Sequence, residues 1–105
     1  MRGTPDSRTR GAIADRMWAL LNAEERTQVA LCRRAGISTT AFSNWLNGSR
    51  PGLDQAIKLC DAFDLTLDWI YFGDDRGVPH EVVEAYRRIK AGEIARRTAK
   101  AAGRR

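Results

Sequence analysis

Apolar residues recur along this chain with a helical period, and no stretch alternates as a strand would. Ile13, Met17, Leu20 and Leu21 predict a first helix from about Thr9 to Leu21 with one inward stripe. A second helix ends near Ala35, just before Gly36, and has two candidate starts. Asn22 with Glu25 three residues on resembles a capping box, and Thr27 offers a later cap, which is the start adopted here. A third helix, Ser38 to Asn47, follows a very short turn at Gly36-Ile37 and is stopped by Asn47-Gly48-Ser49-Arg50-Pro51-Gly52. The fourth spans about Leu53 to Phe63, with Leu53, Ala56, Ile57, Cys60 and Phe63 expected on one face. The fifth spans Thr66 to Phe72, between a threonine cap and Gly73. Beyond Asp74-Asp75-Arg76-Gly77, a sixth begins near Pro79 with Val82, Val83, Tyr86 and Ile89 as its apolar positions. Past Gly92 there is little to bury, and the last dozen residues are expected to fray.

The third helix carries the functional signal. On a wheel of about 100° per residue, Ala41, Phe42, Trp45 and Leu46 gather on one side. Thr39, Thr40, Ser43, Asn44 and Asn47 share an arc of roughly 140° on the other. A merely solvated face would usually carry Lys, Glu, Gln or Arg, which favour helix and solubility. Here the side chains are short and uncharged, able to approach base edges, and a threonine methyl suits the methyl of thymine. The missing carboxylates also avoid repelling phosphate. The short turn forces the second and third helices to cross steeply, for which Gly36 supplies positive φ and Ala30, Cys32 and Ala35 supply small side chains. Gln28, at the start of the second helix, is then placed to offer donors to a phosphate, and Asn47, Ser49 and Arg50 to grip the backbone on the other side.

Charge sharpens this picture. The formal net charge is +5, but residues 1–76 hold ten basic and ten acidic residues, so the whole excess lies in residues 77–105. Within the first part, residues 24–50 are net +2 and residues 53–76 net −4, which lets one side turn toward a polyanion. Cys32 and Cys60 sit on apolar helix positions with no CxxC pair and one histidine, His80, in the chain, so small core residues are expected and no metal site. Trp18, Trp45 and Trp69 lie on or beside apolar stripes and are expected in the core, and His80 is expected exposed in the first turn of the sixth helix. No apolar run nears the roughly 18 residues of a membrane span, and Met1 to Arg8 has no secretory-type stretch, so a cytoplasmic protein is expected. No catalytic set or phosphate-binding glycine loop is recognisable, so no enzyme, cofactor or small-molecule substrate is expected.

The run from Gln28 through Gly36 and Phe42 to Asn47-Gly48 resembles the helix-turn-helix of the Cro and phage-repressor (XRE) family. Cys32 stands where that family usually has alanine, and Arg26 where an apolar residue is common. The Asp68-Trp69-Ile70 to Gly73 ending also resembles the family's last two helices. The resemblance implies an all-α fold: a five-helix, lambda-repressor-like DNA-binding domain over 9–76, after a flexible arm at 1–8, with a basic C-terminal helix and tail over 77–105. It implies a sequence-specific regulator, a repressor by analogy, acting as a homodimer on a double-stranded operator. Base contacts are implied for Thr39, Thr40, Ser43 and Asn44, and phosphate contacts for Gln28 and Asn47; Ser38, Ser49 and Arg50 join the expected phosphate set by position. The rival expectation is a protein-binding module, antitoxin-like or scaffold-binding, built on the same domain. The sixth helix has three expected uses: docking on its own domain, pairing with a second chain, or laying Arg87, Arg88 and Lys90 along phosphate.

Overall fold

A computed structural model describes residues 9–92; the expected N-terminal arm at 1–8 and the expected frayed tail beyond 92 lie outside the described residues. Among the described residues six helices are formed: α1 (Arg10–Glu24), α2 (Gln28–Ala35), α3 (Thr39–Leu46), α4 (Leu53–Phe63), α5 (Leu67–Phe72) and α6 (His80–Lys90). No strand occurs among the described residues.

α1 is the axis of the fold and packs against α2, α3, α5 and α6. It opens on Thr9, whose hydroxyl accepts from the Ala12 amide at 3.1 Å. The expected stripe of Ile13, Met17, Leu20 and Leu21 is fully inside, but so is every residue from Ala12 to Leu21, including Asp15 and Arg16. The helix has no solvent side there because α6 covers it opposite α2 and α3. α1 also runs three residues further than its apolar stripe. Asn22 belongs to it and donates its side-chain amide to the Trp18 carbonyl at 2.9 Å. Glu25, at φ 53°, closes the helix by donating its backbone N–H to the Asn22 carbonyl. The Asn22–Glu25 pair is therefore an α1 terminus, and the later cap is the real start of α2: the Thr27 hydroxyl accepts from the Ala30 amide at 3.1 Å.

α4 departs from expectation. Ala56, Leu59 and Phe63 are buried, Cys60 is half-buried, and Leu53 and Ile57 stand 57% and 41% exposed. Its seven apolar positions, Ala62 included, spread over an arc of about 220°, wider than one neighbour can cover. Packing took the part around Phe63, between Ala56 and Leu59. Cys32 is buried and Cys60 lies at the core's edge, both as free thiols. Burial pushes the Cys32 thiol up to about 11, so it stays protonated as a small apolar group. The three tryptophans are all buried, and His80 is exposed where α6 begins.

α6 docks on its own domain, antiparallel to α1. Lys90 reaches Asp15 at 3.4 Å, and the Arg16 guanidinium lies 5.9 Å from the centre of the Tyr86 ring. At the other end His80, Glu81, Glu84 and Ala85 share a cleft with Asn22 and Ala23. Val82, Ala85 and Ile89 enter the core, and Tyr86 meets Trp69 edge-on with ring centres 6.5 Å apart.

Candidate nucleic-acid interface

The corner between α2 and α3 is fixed by a left-handed residue. Gly36 sits at φ 76° and closes α2 by donating to the Cys32 carbonyl at 2.8 Å, while the Ile37 amide donates to the same oxygen at 3.0 Å. An added Cβ would meet nothing within 4 Å, so glycine is needed here for its backbone and not for space. Lys58 of α4 donates to the Gly36 carbonyl at 3.3 Å, which ties the turn to the next helix.

α3 is anchored by its inner face. Phe42, Trp45 and Leu46 are buried, and the two rings meet edge-on at 5.9 Å. Burial of each large side chain is worth about 1.5–3 kcal/mol, enough to fix which way an eight-residue helix faces. Trp18 of α1 holds the far end, its indole N–H donating to the Leu46 carbonyl at 3.2 Å.

With that face inside, Thr39, Thr40 and Asn44 are exposed and Ser43 is half-buried. Ser38 caps the helix, its hydroxyl accepting from the Ala41 amide at 3.0 Å. Neither α2 nor α3 has an acidic residue in its first turn, so both positive helix ends are open to an anion. Gln28 is placed differently from a simple phosphate donor. Its side-chain amide donates to the Ser43 hydroxyl at 2.7 Å and to the Thr39 carbonyl at 3.3 Å. It thereby clamps α3 to α2 and orients Ser43. The backbone N–H groups of Gln28 and Val29 are what it leaves for a phosphate, since the Thr27 hydroxyl takes that of Ala30.

Beyond α3, the Asn47 side chain donates to the Ser43 carbonyl at 2.9 Å and the Ser49 amide to the Asn44 carbonyl at 2.9 Å. Asn47, Ser49 and Arg50 are exposed on this turn. The next residue, Pro51, is buried, and its carbonyl accepts from the Tyr71 hydroxyl at 2.8 Å. Burial, with the Cys60 thiol beside it, pushes the Tyr71 phenol above its ordinary value, so it remains a donor.

Sequence reasoning misses three contributors: Lys58, Tyr71 and Arg10. Each acts across twenty or more positions of sequence. Trp18 is expected in the core, but its indole N–H also needs an acceptor, which is a signal that it would hold something. Arg10 opens α1 and lies beside Gly48, in a niche of about 430 Å³ whose walls include Trp18, Asn47 and Ser49.

A short-turned helix pair with an outward polar face on its second helix defines the class: a helix-turn-helix domain. Residues 19–70 match the family model described as Helix-turn-helix. The chain belongs to that family of XRE- and Cro-type DNA-binding regulators. No curated protein and no solved structure matches it. No described helix is long and apolar enough to cross a membrane.

Proposed function

We propose that the chain is a sequence-specific transcriptional regulator of the cytoplasm, a repressor by family analogy, that reads double-stranded DNA with α3 in the major groove. One observation carries this reading: Thr39, Thr40 and Asn44 stand exposed and uncharged on a helix whose opposite face is locked in the core. These three residues and Ser43 make the base contacts. Ser38, Asn47, Ser49 and Arg50, with the N-terminal amides of α2 at Gln28, hold phosphates on either side.

Binding two half-sites about 34 Å apart calls for a homodimer. The Val82–Tyr86–Ile89 seam is turned onto α1, so we assign the contact to Leu53 and Ile57, one turn apart on α4 and both exposed. The same pair would serve the rival reading, in which the domain holds a protein partner. A Leu53→Glu variant that sediments as a monomer where the wild type is dimeric supports the assignment; a wild type monomeric at every concentration overturns it.

The test of function is selection of bound DNA from a random pool, followed by affinity measurements on cognate and random duplexes. Thr40→Ala and Asn44→Ala are each expected to lose ~1–3 kcal/mol on the cognate site and little on random DNA. Equal binding of wild type and both variants to the two duplexes removes the base-reading assignment.

A further inference from the structure

We propose that Gln28 is a specificity-determining positioning residue: its bond to Ser43 commits that hydroxyl to donate, so the base facing Ser43 must present an acceptor in the major groove and cytosine is refused. This rests on the DNA-binding reading above and adds the hydrogen-bonding class of one base in the target.

The bonds at the α2–α3 crossing set this polarity. A carbonyl oxygen can only accept, so the Thr39 carbonyl, 3.3 Å from the Gln28 side chain, faces its amide nitrogen and not its oxygen. That nitrogen has no lone pair to offer. The Ser43 hydroxyl, 2.7 Å from the same nitrogen, therefore accepts, and its hydrogen points elsewhere. A serine inside a helix often turns its hydrogen back onto the carbonyl four residues earlier. For Ser43 that carbonyl is Thr39's, which receives the Gln28 amide. Among the described residues no protein acceptor takes the Ser43 hydrogen.

Ser43 lies within the polar arc of α3, between Thr39 and Thr40 on the helix wheel, and is half-buried where both of these are exposed. When a duplex closes over this face, the hydrogen must find an acceptor or stay unpaired, and an unpaired donor costs more than an idle lone pair. Guanine and adenine offer N7, guanine also O6, and thymine O4. Cytosine alone offers only an amino group in the major groove. A cytosine beneath Ser43 would occupy the remaining lone pair and strand the hydrogen.

The test uses the full chain as wild type, Ser43→Ala, Gln28→Met and Gln28→Lys. DNA selected by the wild type from a random pool is varied one base pair at a time, and affinities are measured. The position whose preference Ser43→Ala abolishes is the one that Ser43 reads. There the wild type is expected to bind one of the two orientations of a G·C pair, the one with cytosine beneath Ser43, weaker by on the order of tenfold. Gln28→Met fills the same space without a donor and lets the Ser43 hydrogen settle on the Thr39 carbonyl, its lone pairs outward. It should lose the refusal of cytosine at that position and keep the wild-type preferences elsewhere. Gln28→Lys keeps a donor there and should keep the refusal. A merely structural Gln28 would instead weaken every duplex by one factor with base preferences unchanged, and that result overturns the proposal. So does equal wild-type binding of the two orientations, cytosine still refused by Gln28→Met, or a refusal lost in Gln28→Lys. If the wild type selects no sequence, the base-reading role of α3 fails first. Preferences that persist at other positions with none depending on Ser43 confine the failure to this inference.

Discussion

In the α2–α3 corner, the capping side chains of Thr27, Ser38 and Asn47 bond to backbone three or four residues away, while Gln28 and Lys58 reach across 11 to 22 positions. In the α1–α6 seam polar side chains bond across 54 and 75 positions, Arg16 to the Ile70 carbonyl and Lys90 to Asp15. The corner keeps its polar atoms at the surface, where water or a duplex can also satisfy them. The seam takes Asp15 and Arg16 out of water, so only distant parts of the same chain can compensate them. Polar groups in the two regions therefore differ in what depends on them: helix ends and an exposed crossing in one, the buried assembly of three helices in the other.

The largest effect should come from the seam. Arg16→Ala leaves the Ile70 carbonyl without that donor and opens a hole beneath Tyr86, and is expected to lose about 3 kcal/mol of stability in urea unfolding. A loss under about 1 kcal/mol, within the range of a surface pair, would erase the contrast. Thr27→Ala removes only one cap from α2 and should lose about 1 kcal/mol in the same measurement, with DNA affinity following only through stability. A loss matching that of Arg16 would show that the corner is as interdependent as the seam.

The smallest effect is a pH-dependent one, at a buried carboxylate that is partnered locally. Asp74 accepts from Arg76 at 2.6 and 3.0 Å, and those hydrogen bonds hold its carboxyl well below the usual range. A carboxyl lowered in the folded state adds stability above its unfolded value of about 4 and loses it as pH falls toward the folded value. Arg76→Ala should therefore lower the thermal midpoint at neutral pH, with the gap to wild type narrowing below about pH 4. A gap that stays constant into acid would show that the pair contributes nothing through charge.

The corner is legible in sequence because its determinants are local. Gly36, Thr27 and Ser38 act within four residues, and Phe42, Trp45 and Leu46 define one face of a helix with no rival apolar face. α4 defeats the same reading because its apolar arc is broader than its contact, and nothing local says that Leu59 and not Leu53 turns inward. Asp15 and Arg16 resemble solvent-side residues of α1 for the same reason: their cover, α6, lies more than fifty positions away. Gln28 is found by its position, but as a phosphate donor; that its amide is taken up by Ser43 and Thr39 is a fact of the crossing, which spacing does not encode.

The bond from Tyr71 to the Pro51 carbonyl has a consequence for how binding is driven. A loop that must be ordered on contact surrenders conformational entropy at that moment, about 1–2 kcal/mol for each residue whose backbone is fixed. Here α5 holds the main chain beside Ser49 and Arg50 in place while the protein is still alone. That ordering is already complete before any duplex arrives, so the encounter can be fast and near-rigid on the protein's side.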